Sequence, residues 1–264
     1  ACAERVFDFI DREPMSADPA DGPHIEKTEG SVDLENVAFS YTKDRELIKN
    51  LNLHVKPGQR IAIVGPTGCG KSTLINLLMR FYDVDEGCIS VDGTPIQDLT
   101  RENLRQQYGM VLQETWLKSA TVRDNISYGK PDATEEEIIE AAKASHAHSF
   151  IRRLPKGYDT VLSEDGGSLS QGQKQLLTIA RAILADNKIL ILDEATSALD
   201  NESERWIQQS LEELAKNRTT ITIAHRLSTI RNADEILVVA DNGIAERGTH
   251  DELIARGGIY AHYY

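Results

Sequence analysis

The stretch Gly65–Ser72 constrains this chain most, because it combines a glycine-rich turn with a lysine and a hydroxyl at fixed spacing. The apolar run Ile61–Val64 precedes it and the proline-free run Thr73–Met79 follows it, which predicts a buried strand, a loop and a helix. Such a loop points several backbone N–H groups at one place near the positive end of the helix, so it can hold a polyphosphate. Lys71 then supplies charge to the outer phosphates, and the Ser72 hydroxyl can ligate Mg²⁺. The expected nucleotide contacts are Gly65, Pro66, Thr67, Gly68, Cys69, Gly70, Lys71, Ser72 and Thr73.

The bulk properties limit the kinds of partner that the chain can have. Its 264 residues suffice for one large α/β domain or a core with a subdomain. The net charge of −13 argues against nucleic acid, so phosphate binding must depend on local geometry at the glycine loop. Three cysteines without framework spacing indicate a reducing compartment, and no run approaches the about 20 apolar residues of a membrane span.

The order of the predicted elements divides the chain into parts. Residues 1–30 begin with a short helical pattern and continue as a proline-containing linker, which suggests the tail of an upstream domain. Residues 31–100 mix antiparallel strands with the strand–loop–helix unit, and residues from about 114 to 187 are mostly helical. Strands and helices alternate again afterwards. The predicted fold is therefore α/β, with an antiparallel β subdomain and a helical subdomain.

Polar residues follow the ends of three predicted buried strands. The apolar run Lys188–Leu192 ends in Asp193 and Glu194, which are suited to hold Mg²⁺ and to take a proton from an attacking water. Gln113 and His225 end two further strands, and ligands bind at the carboxyl ends of strands in parallel sheets. We expect these residues to converge with the glycine loop, although Gln113 and His225 taken singly are also compatible with ordinary hydrogen-bonded polar groups.

A second helix start, Leu169–Gln173, carries a serine at the capping position and a glycine. It is a second candidate phosphate site, and an ordinary helix cap explains the same pattern. One nucleotide has no obvious need for two such sites in one chain.

Taken together, these motifs resemble the nucleotide-binding domain of an ATP-binding-cassette (ABC) transporter, from about residue 31 to the end of the chain. Phe39-Ser40-Tyr41 is similar to the loop whose aromatic ring stacks on adenine, so the resemblance gives that role to Tyr41. The family's other motifs are matched in order by Gly65–Ser72 (Walker A), Gln113 (Q-loop), Leu169–Gln173 (signature), Ile189–Asp193 with Glu194 (Walker B and catalytic base), Ser197–Asp200 (D-loop) and His225 (switch histidine).

The resemblance implies a RecA-like P-loop NTPase core that hydrolyses ATP with Mg²⁺. The catalytic residues that it implies are Glu194, His225, Gln113 and Lys71. The metal ligands that it implies are Ser72, Gln113 and Asp193.

The resemblance also accounts for the second helix start. It implies a head-to-tail dimer of nucleotide-binding domains, in which Ser170, Gly172 and Gln173 of one domain contact the ATP that the other domain's glycine loop holds. Gln171 stands where the commonest signature has glycine. The partner can be an identical or a different domain.

Three segments narrow the resemblance to exporters: Ala3–Asp11, Thr121–Ile126 and Glu246–Leu253. They imply the ATPase half of an export half-transporter, whose transmembrane domain lies upstream and places this domain at the cytoplasmic face of a membrane. The fragment itself is expected to be soluble. The helical insert around Glu114–Arg123 is expected to contact the membrane domain.

Three other ABC ATPases are alternatives. The ATPase subunit of an importer is the nearest of them, but the exporter-like N-terminal segment argues against it. A chromosome-maintenance ATPase requires a long coiled coil between Walker A and the signature, and the sequence between Ser72 and Leu169 has no sustained heptads. A translation factor with two tandem cassettes requires a second cassette, which this sequence does not contain.

Overall fold

The computed structural model describes residues 7, 10–11, 16–42, 47–112, 114–163, 166–167, 169–193, 201–224 and 227–263. The strands are β1 (Val32–Phe39), β2 (Ile48–Val55), β3 (Arg60–Val64), β4 (Glu86–Val91), β5 (Thr94–Pro95), β6 (Tyr108–Val111), β7 (Ile189–Asp193), β8 (Thr219–Ile223), β9 (Glu235–Ala240) and β10 (Gly243–Gly248). The helices are α1 (Lys71–Leu78), α2 (Arg101–Gln106), α3 (Val122–Ser127), α4 (Glu135–Ala144), α5 (His148–Ile151), α6 (Gln171–Ala185), α7 (Asn201–Ala215), α8 (Leu227–Arg231), α9 (His250–Arg256) and α10 (Ile259–Tyr263).

The larger sheet has six strands in the order β10-β9-β3-β8-β7-β6. Strands β9, β3, β8, β7 and β6 pair in parallel, and only β10 runs antiparallel to its neighbour. Since parallel neighbours point the same way, the carboxyl ends of β3, β6, β7 and β8 share one edge of the sheet. The predicted α/β class is confirmed.

Both faces of this sheet are covered, which explains the uninterrupted apolar runs of its central strands. Along β7, Ile189 and Ile191 pack in the core beneath the antiparallel sheet, whereas Leu190 and Leu192 pack against the helical part. Along β3, alternate residues likewise divide between two cores. A strand of this kind has no solvent-facing side on which polar residues would be expected.

The smaller sheet has four antiparallel strands in the order β2-β1-β4-β5. The break in the alternating pattern of β1 corresponds to a register shift around Asn36, which has a φ of +50°. Asp92 and Gly93, with φ values of +48° and +75°, form the tight turn between β4 and β5 that the Asp-Gly pair predicts. These strands pack over α1 and the larger sheet in one shared core.

The residues between β6 and β7 form a helical unit with its own apolar core. Helices α3, α4 and α6 begin with capping boxes at Thr121, Thr134 and Ser170, in which the cap hydroxyl and the side chain three residues later satisfy each other's backbone N–H. Among the described parts of the chain, no helix is both long and apolar enough for a membrane span.

Residues 16–30, which belong to the predicted linker 1–30, lie along the surface of the domain. The Asp18 carboxylate accepts from the Arg101 backbone N–H at 3.0 Å and pairs with its guanidinium. The Asn103 side chain forms hydrogen bonds with both backbone groups of Ile25. Its Oδ1 accepts from the Ile25 N–H at 2.9 Å, and its Nδ2 donates to the Ile25 carbonyl at 3.0 Å. Polar side chains of α2, not apolar packing alone, therefore anchor this segment.

Asp92 anchors the end of the same segment. Its carboxylate accepts from the backbone N–H groups of Glu29 and Ser31, at 2.7 and 2.8 Å, and from the Thr28 hydroxyl. Burial tends to raise the pKa of Asp92, but these hydrogen bonds outweigh it and hold the pKa below its ordinary value. The charged form of Asp92 thus stabilises the entry into β1.

Candidate functional site

The glycine loop leaves β3 at its carboxyl end and enters α1. At Gly65, which has a φ of +152°, an added Cβ would lie 2.3 Å from the Val239 carbonyl oxygen. The backbone of the loop therefore approaches β9 more closely than a side chain permits. Gly70 has a φ of +105°, in the left-handed region that glycine adopts readily. Both ends of the loop thus depend on glycine.

The first turn of α1 has no side-chain cap, because its N-cap residue is Gly70. The first N–H groups of a helix have no partner inside the helix, and here no side-chain oxygen at the cap position accepts from them. They therefore remain suited to an anion at the positive end of the helix dipole. Ser72 is exposed in this first turn, and Thr73 is buried.

Lys71 closes the loop on itself. Its Nζ donates to the carbonyl oxygens of Gly65, at 2.8 Å, and Pro66, at 2.9 Å. An ammonium has three hydrogens to donate, and the next acceptor among the described residues is the Cys69 sulfur, a weak one, 4.0 Å from Nζ. Lys71 can therefore keep the loop curved and still direct one hydrogen to a phosphate oxygen.

An open cleft of about 600 Å³ runs along the loop. This volume falls within the range of about 300–1,000 Å³ that is typical of small-molecule sites. Among the residues that line the cleft are Tyr41, Lys71, Ser72 and Asp193. Thr67, Gly68, Gly70 and Thr73 line it as well, so eight of the expected site residues meet here, and Tyr41 and Asp193 reach the glycine loop from distant parts of the sequence.

Tyr41 presents a half-exposed ring to the cleft, with 48% of the residue accessible. Phe39 and Tyr82 pack against it edge to face, at centroid distances of 4.9 and 5.0 Å. Asn76 Nδ2 donates to the Tyr41 hydroxyl at 3.2 Å. No local sequence pattern links Tyr82 or Asn76 to Tyr41, so neither residue is recognisable from the sequence as part of the site.

Asp193 is the last residue of β7 and lies beside Ile223 of β8 in the parallel ladder. Its carboxylate and the Ser72 hydroxyl line the same cleft, and both offer the oxygen ligands that Mg²⁺ prefers. Within the described ranges, no group of three or more His, Cys, Asp or Glu side chains is placed to hold a metal. The residues fit Mg²⁺ in the way that such sites usually do, with phosphate and water supplying the remaining ligands.

Gln113, Glu194 and His225 lie outside the described residues, and so does the segment Ser197–Asp200. In the sequence, the three single residues follow β6, β7 and β8, which are adjacent parallel strands. The roles expected for all of them remain predictions.

Ser170 is the N-cap residue of α6 and is exposed, whereas Gly172 in the first turn is buried. The Ser170 hydroxyl accepts from the Gln173 N–H at 3.3 Å, and Gln173 Oε1 accepts from the Ser170 N–H at 3.0 Å. Gln171 Nε2 donates to the Thr115 hydroxyl at 3.3 Å. No described residue of this helix start lines the cleft beside the glycine loop, so the two expected phosphate sites are separate within one chain.

Trp116, Tyr128 and Arg181 form a surface cluster that the sequence analysis did not single out. The guanidinium carbon of Arg181 lies 5.3 Å from the Tyr128 ring centroid and 6.0 Å from that of Trp116. Arg181 Nε also donates to the Asn125 carbonyl at 2.9 Å, and burial lowers the pKa of the guanidinium. The rings themselves stay exposed, at 54% and 59%, so the arginine holds an apolar surface in place.

Comparison with known proteins identifies the family to which these features correspond. The family model described as "ABC transporter" matches residues 48–197. A "Fatty acid ABC transporter ATP-binding/permease protein" of Mycobacterium bovis is 52% identical over 260 residues, which is 98% of this chain and 41% of that protein. An "ATP-dependent lipid A-core flippase" of Desulfotalea psychrophila is 51% identical over 264 residues, which is 100% of this chain and 46% of the flippase.

A solved structure shows the same fold. The "Structure of a bacterial Atm1-family ABC exporter with ATP bound" superposes with a TM-score of 0.88 at 44% sequence identity. The match covers 98% of this chain and 46% of the exporter chain. This chain therefore spans less than half the length of the relatives that it matches.

Proposed function

The chain belongs to the ABC transporter family and is a nucleotide-binding domain of the exporter type. From this premise we propose that it hydrolyses ATP with Mg²⁺ and thereby powers export through a membrane domain. Membership of the ABC transporter family implies that the domain binds ATP and has ATPase activity. Several of its relatives are named as ATP-binding/permease proteins, which favours this function over the ATPase subunit of an importer.

The cleft that Tyr41, the glycine loop and Asp193 line together is the main support for this proposal. In the proposed complex, Tyr41 stacks on the adenine ring, and the loop amides with Lys71 bind the phosphates. Gly65, Pro66, Thr67, Gly68, Cys69, Gly70, Ser72 and Thr73 supply the rest of the phosphate cradle. Ser72, Gln113 and Asp193 hold Mg²⁺, which neutralises charge on the phosphate oxygens when it is bound.

Glu194, Gln113 and His225 supply the proposed hydrolytic chemistry. Water attacks the γ-phosphorus, the bond from that phosphorus to the bridging β–γ oxygen breaks, and ADP leaves with that oxygen. Glu194 accepts the proton of the attacking water, Gln113 orients the water, and His225 donates a hydrogen bond to the γ-phosphate. The arrangement of β6, β7 and β8 as adjacent parallel strands supports this grouping, since the three residues follow those strands in the sequence.

A second nucleotide-binding domain is the proposed partner, in head-to-tail orientation. The Ser170 hydroxyl uses an oxygen lone pair to cap its own helix, which leaves its hydrogen free to be donated. We propose that the helix start formed by Ser170, Gly172 and Gln173 contacts the γ-phosphate of the ATP held by the partner. The Ser170 hydroxyl donates its hydrogen to that phosphate. Binding of ATP then joins the domains, and hydrolysis releases them.

The relation to the membrane is also a proposal. We assign residues 1–30 to a linker from a transmembrane domain and residues 31–264 to the ABC domain, with a helical subdomain at about 114–187. The exposed rings of Trp116 and Tyr128 lie in that subdomain and provide an apolar surface for the membrane domain's loops. This arrangement places the domain at the cytoplasmic face of a membrane, with no role for nucleic acid.

Replacing the proposed base tests the hydrolytic function. Glu194→Gln keeps the size of the side chain but cannot accept the proton, so we expect turnover to fall by about 100-fold or more while ATP binding persists. ATP-bound dimers should accumulate, as seen by size-exclusion chromatography alongside phosphate release. Glu202→Gln, an exposed glutamate of α7, serves as the matched control and should hydrolyse normally. Near-normal turnover by Glu194→Gln contradicts the assignment.

A further inference from the structure

The half-exposed ring of Tyr41 lies two residues past the end of β1 and packs against more than that strand. Three side chains fix its orientation: Phe39 and Tyr82 by edge-to-face packing, and Asn76 by a hydrogen bond of 3.2 Å to its hydroxyl. Phe39 is buried and belongs to β1, whereas Asn76 and Tyr82 belong to α1 and the turn after it.

The turn after α1 has a defined geometry that delivers Tyr82 to this position. Arg80, with a φ of +49°, occupies the left-handed position just past the helix end, and its N–H donates to the Leu77 carbonyl at 3.0 Å. The Phe81 N–H donates to the Asn76 carbonyl at 2.8 Å. This pair of bonds is a Schellman motif, which reverses the chain sharply at a helix end. Asn76 therefore contributes its carbonyl to the turn before Tyr82 and its side chain to Tyr41.

We propose that Asn76 and Tyr82 are positioning residues that hold Tyr41 for stacking on the nucleobase, so that α1 serves both ends of one nucleotide. The N-terminus of α1 faces the phosphates, and its C-terminal part sets the ring that receives the base. The proposal rests on the proposed function, namely that Tyr41 stacks on adenine. Neither positioning residue lines the cleft beside the glycine loop.

The physical basis is preorganisation. A tyrosine ring on a half-exposed surface loses side-chain freedom when a base stacks on it, and the contacts to Asn76 and Tyr82 restrict that freedom before binding. A single neutral hydrogen bond or an aromatic pair changes affinity by about two- to tenfold. Effects of this size are expected on ATP affinity and not on affinity for a ligand that lacks the base.

The experiment therefore compares ATP with inorganic tripolyphosphate, by equilibrium binding to the purified protein. Asn76→Ala and Tyr82→Leu should each weaken ATP binding by about two- to tenfold and leave tripolyphosphate affinity unchanged. Tyr82→Phe keeps the ring and should restore ATP affinity. Tyr41→Phe, which loses only the hydroxyl, should match Asn76→Ala, and the double variant should be no weaker than either single variant, because both remove the same hydrogen bond.

Two results would overturn the inference. Equal weakening of ATP and tripolyphosphate would mean that Asn76 and Tyr82 merely stabilise α1. Unchanged ATP affinity in Asn76→Ala and Tyr82→Leu would mean that they do not position Tyr41. Tyr41→Ala separates this failure from failure of the premise: if it too leaves ATP affinity unchanged, the stacking role of Tyr41 is wrong and the inference falls with it.

Discussion

Two helix starts in this molecule were predicted to bind phosphate, and the structure equips them differently. At α1 the N-cap is Gly70, no side chain caps the helix, and an open cleft adjoins the exposed first turn. At α6 the N-cap is Ser170, and a capping box satisfies the backbone N–H groups of Ser170 and Gln173. A helix start without a side-chain cap can bind an anion with all of its first N–H groups, whereas a capped one has fewer of them to offer and adds the hydrogen of its serine hydroxyl.

This difference suggests a division of labour. In the proposed function, the start of α1 binds nucleotide within its own chain, whereas the start of α6 is capped without ligand and adds the Ser170 hydroxyl when a second domain approaches.

Alkylation of Cys69 should abolish ATP binding. Cys69 is a free, partly exposed thiol, and its sulfur lies 2.9 Å from where a Cβ on Gly65 would be. An adduct therefore forces the crowded loop apart. Nucleotide binding is measured after maleimide treatment, with the labelled site identified by mass spectrometry. Protein labelled only at Cys88, a free thiol in β4, should bind ATP normally; normal binding after full labelling at Cys69 contradicts the loop's role.

Lys71→Ala should lower ATP affinity by about 10- to 100-fold, because it removes a charge-assisted hydrogen bond to phosphate and the amine that closes the loop. Equilibrium binding of a fluorescent ATP analogue measures the loss. Lys56→Ala removes the same charge from an exposed turn and should have little effect. If both variants bind equally well, Lys71 is not a phosphate ligand.

Ser170→Ala should weaken ATP-dependent dimerisation by about tenfold while ATP affinity of the single domain stays unchanged. It removes the hydroxyl that we assign to the partner's nucleotide. Thr134→Ala removes an equivalent capping box from α4 and should cost a similar amount of stability, about 1 kcal/mol. Dimerisation is measured by analytical ultracentrifugation. Equal dimerisation of the two variants would show that Ser170 is only a cap.

Gly70→Ala should destabilise the fold by about 1–2 kcal/mol through its left-handed backbone and should also weaken ATP binding severalfold. The nearest atoms to an added Cβ lie 3.7 Å away, so steric clash does not contribute. Gly93→Ala has the same kind of backbone at an open turn, with a φ of +75°, and should lose stability alone. Urea unfolding measures the loss of stability, and ATP titration measures the loss of affinity. If Gly70→Ala and Gly93→Ala bind ATP equally well, Gly70 has no particular role at the site.

Several features follow from local sequence because their causes are local. The glycine loop between an apolar strand and a helix, the Asp92-Gly93 turn, and the caps at Thr134 and Ser170 are set by the backbone preferences and hydrogen bonds of neighbouring residues. The exporter-type ABC resemblance depends on such ordered motifs, and the family match and the related structure confirm it.

The phosphate loop, the α/β class and the family therefore follow from the sequence alone. Only the tertiary structure placed Asn76 and Tyr82 against Tyr41, grouped Trp116 and Tyr128 around Arg181, and laid residues 16–30 along the domain. Each of these depends on contacts between residues that are far apart in sequence. A segment rich in proline and acidic residues has the composition of a linker. Its sequence does not reveal which distant groups will form hydrogen bonds with its backbone and its carboxylates.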